Sequence, residues 1–268
     1  MKIFLYSLLI GFLLSCSNIS QQNDPIPQHD TFIIKSNFVN EDRVINVWKP
    51  TNYNKDIDSL PVMYMADGGI KEDFPHIANT LSKLIQEKKI KPLLLVGIEN
   101  TERRRDLTGF TEVEKDKEVA PIVGGSENFR KFIKNELIPE ISKRYSTTNE
   151  KSIIGESLSG LFVMETFFLT PELFDNYIAF DPSLWWNNHY LLRTAKDNLK
   201  DLPKTKKHLW YAGSSATDIF TYTQKLQEIF KTEENANLIW KYSDEPKESH
   251  STIFRATKEK AIIWTLNH

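Results

Sequence analysis

Two continuous apolar runs constrain this chain more than anything else in it. Residues 61–66 (PVMYMA) and 92–98 (PLLLVGI) carry no polar alternation, so both faces of each would have to be covered. Between them, residues 78–88 have helical spacing, with Ile77, Leu81, Leu84 and Ile85 on one side. The pattern continues down the chain. Strand-like stretches at 152–154, 177–180, 208–212 and 237–242 alternate with helix-like stretches at 127–145, 158–169, 217–231 and 252–266. Such alternation implies an α/β fold, a mostly parallel central sheet with helices on both faces. Residues 31–36 and 43–48 read as two strands of an antiparallel hairpin ahead of it. Residues 99–125 are charged and irregular. No internal repeat or linker interrupts 31–268, so one domain is the expected count.

The start of the chain is different in kind. Lys2 precedes the apolar run 3–14, which ends at Leu13-Leu14-Ser15-Cys16. The run is too short for a spanning helix, which needs roughly 20 apolar residues, and has the layout of a signal-peptide core. Its end resembles the lipobox of bacterial lipoproteins. That resemblance implies a signal peptide at 1–15, lipidation of Cys16, and a mature protein held at the cell envelope, facing the periplasm. Residues 16–30 are polar, with two prolines, and read as a flexible tether. Cys16 is the single cysteine, so no internal disulfide or multi-cysteine metal site can form. The formal net charge of -2 excludes a global nucleic-acid-binding field. The membrane is then expected as a partner only through the lipid.

In a parallel sheet, ligands bind at the carboxyl ends of the strands. One such place is the run Ser152-Ile153-Ile154-Gly155-Glu156-Ser157-Leu158-Ser159-Gly160, which reads strand, sharp turn, helix. A serine on this turn projects its hydroxyl above the sheet, and only small neighbours leave room for the backbone. Ser157 is therefore the candidate nucleophile. The N–H of Leu158, at the helix N-terminus, is the candidate oxyanion donor. The fifth position of the G-x-S-x-G pattern is Ser159 here.

A serine nucleophile needs a base. Of the six histidines, only His250, in the polar loop after the last strand, follows in the order serine, acid, histidine. Asp218 is the first candidate for the acid, Asp181 the second and Glu248 the third. A pair without an acid is a further possibility.

Several blocks together resemble the esterase family of α/β hydrolases that groups esterase D, enterochelin-type siderophore esterases and feruloyl esterases. They are residues 61–68, 96–101 and 103–108, the serine turn, Pro182-Ser183-Leu184-Trp185-Trp186, and Glu248-Ser249-His250. The resemblance implies hydrolysis of a small carboxylic ester through a serine acyl-enzyme, without metal or cofactor. It implies Ser157 as nucleophile, His250 as base, and the Gly69 N–H as second oxyanion donor. The family's usual acid position falls at Ala216, two residues before Asp218. Arg104 and Arg105 are candidates for gripping an anionic or polar substrate, and Trp185 and Trp186 for stacking on it. An acyltransferase of the same fold, or a catalytically silent ligand-binding lipoprotein, are the alternatives.

Overall fold

The structure, a computed structural model, describes residues 24–268. The segment expected as a signal peptide, Cys16 and the expected tether as far as residue 23 lie outside the described residues. Among the described residues one eight-stranded sheet runs through the molecule, in the order β1-β2-β4-β3-β5-β6-β7-β8. Strands β1 (Asp30–Ser36) and β2 (Glu41–Trp48) form the expected antiparallel hairpin, and β2 joins the rest antiparallel to β4 (Leu94–Ile98). From there β3 (Leu60–Met65), β5 (Thr147–Glu156), β6 (Asn176–Phe180), β7 (Lys207–Ser214) and β8 (Leu238–Glu245) are parallel.

The apolar runs are continuous because each strand feeds two cores. Val62 and Tyr64 of β3 and Leu94, Val96 and Ile98 of β4 pack into one cluster, while Met63, Met65 and Leu95 pack into the other. On the first face lie the segment α4 (Ser126–Phe132), a π-helical turn (Ile133–Leu137) and α5 (Ile138–Arg144), with α6 (Leu158–Leu169), α7 (Trp186–Lys200) and α8 (Thr217–Thr232). The second face is covered by α1 (Phe74–Gln86) and α9 (Ile253–Leu266). The amphipathic stretch expected as one helix at 127–145 is thus broken by the π turn. α6 shows no polar stripe because Leu158 to Phe168 are all buried between sheet and neighbouring helices.

Several boundaries differ from the sequence reading, which also marks no helical stretch at α7. β5 begins at Thr147, well before residue 152; its first half is polar and mostly exposed, so no apolar pattern marks it in the sequence. The irregular stretch 99–125 contains two short helices, α2 (Arg103–Asp106) and α3 (Glu114–Val119). Residues 24–30, expected in the tether, lie against the folded body. Asp24 pairs with Arg255, the Pro25 carbonyl accepts from Asn79, and His29 meets the Phe74 ring edge-on at 5.4 Å.

Candidate active site

The carboxyl ends of β3, β5 and β6 and the loop after β8 meet at one place. The turn from β5 into α6 is strained: Ser157 has φ 60° and ψ -119°. Its backbone is held from both sides, by its own N–H on the Phe180 carbonyl and by the Leu161 and Ser183 N–H groups on its carbonyl. A Cβ at residue 155 would stand 2.3 Å from Ser159 Oγ, so Gly155 is required by this turn. The serine at 159, where the common pattern has glycine, fits because Gly155 leaves it the space.

His250 bridges two side chains. Its Nδ1 is 3.0 Å from Asp181 Oδ2 and its Nε2 is 3.1 Å from Ser157 Oγ. Asp181 is fully buried and already accepts two hydrogen bonds from Ser214, at 2.6 Å each from the N–H and the Oγ–H. An ionised carboxylate only accepts, so the imidazole proton belongs on Nδ1 and Nε2 is free to accept from the serine. The Asp181 hydrogen bond is the main cause that holds the His250 pKa above its ordinary value, against the opposing effect of burial; Glu156, Asp181 and Asp218 add to it through their charge.

The acid chosen first from the sequence is corrected here. Asp218 sits exposed in the first turn of α8, where a carboxylate favours the helix dipole, and it reaches His250 only through its field. Glu248 is turned away: its Oε2 accepts from Thr252, and its carbonyl accepts from Ser215. Asp181 has the contact because β6 ends beside β5 and carries it directly next to the serine turn.

Leu158 is the first residue of α6, so its N–H has no partner within the helix. Gly69 differs from expectation. Its N–H donates to Glu72 Oε2 at 2.7 Å, and Asn100 Nδ2 holds Glu72 Oε1 at 3.0 Å. The second oxyanion donor is therefore occupied by a carboxylate. Burial pushes the Glu72 pKa up.

The arginine run also resolves differently. Arg104 Nη1 donates to the Val119 carbonyl, and Arg105 forks onto Glu41 and Asp106. Asp106 also pairs with the buried Arg43, so Arg105 belongs to a structural ion network and not to the site. The site-facing arginine of the run 103–105 is Arg103, in place of the Arg104 and Arg105 chosen from the sequence. It grips Asp67 at 2.5 and 2.9 Å, on the turn after β3, and Glu156 beside Ser157 lies within its field. Nothing in a run of three arginines says which one turns inward; a four-residue helix decides it. Trp186 is buried with its Nε1–H on the Gly109 carbonyl, and Trp185 is half-buried beside it. Among the described residues no group of three or more His, Cys, Asp or Glu side chains could hold a metal ion.

Comparison with known proteins fits this geometry. Residues 36–265 match the model of the family described as "Putative esterase", which is most of the chain. The chain belongs to that family. Ferri-bacillibactin esterase BesA of Bacillus subtilis (strain 168) is 32% identical over 158 residues, covering 54% of each chain. The siderophore triacetylfusarinine C esterase of Aspergillus fumigatus is 36% identical over 80 residues, 29% of this chain and 27% of that one. The match to BesA thus spans about half of that relative's length. Among solved structures, the BES protein from Bacillus cereus superposes with a TM-score of 0.80 at 22% identity, covering 92% of this chain and 99% of that one. The IroE-like serine hydrolase from Shewanella oneidensis has a TM-score of 0.80 at 23% identity, covering 90% and 80%. The family and these neighbours share the α/β-hydrolase fold seen here.

Proposed function

We propose that this family member hydrolyses carboxylic esters through a serine acyl-enzyme, and that its substrates are siderophore-type esters. The observation that carries the reaction type is the His250 bridge between Ser157 and Asp181. The substrate class rests on the printed activities of the relatives.

The steps follow from the geometry. Ser157 Oγ attacks the ester carbonyl carbon while its proton passes to His250 Nε2. Buried Asp181 holds the ring and stabilises the imidazolium that forms. The Leu158 N–H, at the positive end of α6, faces the developing oxyanion. His250 then returns the proton to the leaving alkoxide oxygen. A water deprotonated by the same nitrogen attacks the acyl carbon and releases the acid, and Ser157 recovers its proton. The tight turn at Ser157 keeps the hydroxyl in line at no reorganisation cost during reaction.

Turnover of a short p-nitrophenyl ester by the wild-type chain and by Ser157→Ala tests the reading. Loss of at least a thousandfold in kcat is expected, on the order of a triad deletion. Undiminished turnover would overturn it. The lipobox-like segment supports a further part of the proposal, that the enzyme works at the cell envelope, anchored through lipid on Cys16. Metabolic labelling with a fatty acid, in wild type and Cys16→Ala, tests that part.

A further inference from the structure

β3 and β5 pair in parallel with Met65 beside Ile154, so the turns that follow, at 67–69 and at Ser157, leave the sheet side by side. The peptide joining Gly68 to Gly69 lies in the first of them. Its N–H is that of Gly69, the expected second oxyanion donor, and the donor serves only if it points at the reacting carbonyl. A trans peptide directs its C=O and N–H to opposite sides, and the described residues contain no cis peptide. Whatever holds the Gly68 carbonyl therefore aims the Gly69 N–H.

Asn46 holds that carbonyl. It lies on β2, 1% exposed, directly across from Gly97 of β4 on one side and Thr31 of β1 on the other. Its Nδ2 donates to the Gly68 carbonyl at 3.0 Å, and its Oδ1 accepts from the Thr31 hydroxyl at 2.9 Å. A carbonyl only accepts, so the amide has one workable orientation, with Nδ2 toward Gly68. Thr31 secures that orientation from the far end.

Gly97 opens the path between them. A Cβ at 97 would stand 2.5 Å from the Gly68 carbonyl oxygen, and one at 68 would stand 2.2 Å from the Ile98 nitrogen. The Gly68 N–H is bonded to the Ile98 carbonyl at 3.0 Å. The Gly68 carbonyl thus sits in a slot left by a missing side chain, with the Asn46 amide at its end. On the other side of the same peptide, Glu72 Oε2 meets the Gly69 N–H at 2.7 Å, so the donor faces away from Asn46. Glycines on both sides leave such a peptide free to turn over, since glycine takes either sign of φ. Turned over, it would present a carbonyl oxygen to the developing oxyanion.

We propose that Asn46 is a positioning residue for catalysis: its amide locks the Gly68–Gly69 peptide with the Gly69 N–H toward the reacting carbonyl, from behind the turn and without touching the ester. The proposal rests on Ser157 being the nucleophile and on the Gly69 N–H serving its oxyanion. The lock keeps its hold when Glu72 gives up the N–H to the oxyanion.

The test compares wild type with Asn46→Ala and with Asn46→Asp, which keeps the shape but puts an acceptor against the carbonyl. On one p-nitrophenyl ester, kcat is expected to fall about 10²-fold in each, with KM within about twofold, because the donor acts in the transition state. Inhibition by a trifluoromethyl ketone, whose adduct with the serine carries a negative oxygen, should weaken by about the same factor. Glu72→Ala added to Asn46→Ala should recover none of the loss. Thr31→Val, on the exposed edge strand, removes the hydroxyl that orients the amide and covers the case where the Asn46 variants unfold. It should lower kcat and inhibitor affinity together, by about threefold or more. Inhibitor affinity equal to wild type in folded Asn46 variants, or in Thr31→Val where those unfold, would overturn the proposal, as would full recovery by Glu72→Ala. A wrong nucleophile shows separately, as turnover that survives Ser157→Ala.

Discussion

Asp181 accepts from His250 Nδ1 at 3.0 Å with its carboxylate fully buried, while the imidazole side chain is 46% exposed. One partner is thus locked by the protein interior and the other faces incoming substrate. Asp181→Asn is expected to lower kcat by about 10⁴, because an amide in this place favours the wrong imidazole tautomer. Asp218→Asn should change kcat by no more than a few-fold. Steady-state kinetics on one ester, with both variants checked for folding by circular dichroism, decides between them.

The same contact sets a pH dependence. His250 must be neutral to act as base, and its pKa is raised, chiefly by the Asp181 hydrogen bond. The acidic limb of kcat/KM should therefore lie above the ordinary histidine value of about 6.5, with activity rising as pH increases through it. Weakening the hydrogen bond in Asp181→Asn should move the limb down. A limb below 6.5 in wild type would contradict this.

Glu156 adds a second step. Burial, with the nearby charge of Asp73, pushes its pKa up to about 8. Below that pH it is neutral; above it a negative charge stands beside the imidazolium that forms in the transition state. A further rise in kcat near pH 8 is expected, and Glu156→Gln should abolish it without moving Ser157. The full pH–rate profile of the two proteins is the measurement.

Gly69 can serve an oxyanion only after Glu72 lets go of its N–H. Glu72→Ala, which frees that donor, is expected to raise kcat toward small esters, by up to about 10². A rate that stays flat or falls would remove Gly69 from the chemistry.

The network behind the arginine run bears on stability. Arg43 and Asp106 are both 1% exposed and paired, with Arg105 and Glu41 beside them. Asp106→Asn removes the nearer counter-charge of the buried Arg43 guanidinium, leaving Glu41 at 3.3 Å, and should destabilise the fold by about 3 kcal/mol in urea unfolding. Arg104→Ala, on the surface, should change it by less than about 0.5 kcal/mol.

The sequence alone determined the layered α/β architecture, because continuous apolar strands between amphipathic helices can be buried in few other ways. It also determined the serine turn, since Gly155, Ser159 and Gly160 leave room only there, and the loop that carries His250. It left the acid open between Asp218, Asp181 and Glu248, and the inward arginine open among three in a row. Those were decided by tertiary structure. Which carboxylate meets the imidazole depends on β6 lying next to β5, a pairing between segments far apart in the chain. Whether the Gly69 N–H is free depends on where Glu72 folds back, and which guanidinium enters the site depends on the phase of one helical turn. Local spacing encodes none of these, because side-chain partners across a sheet are chosen by strand order and register.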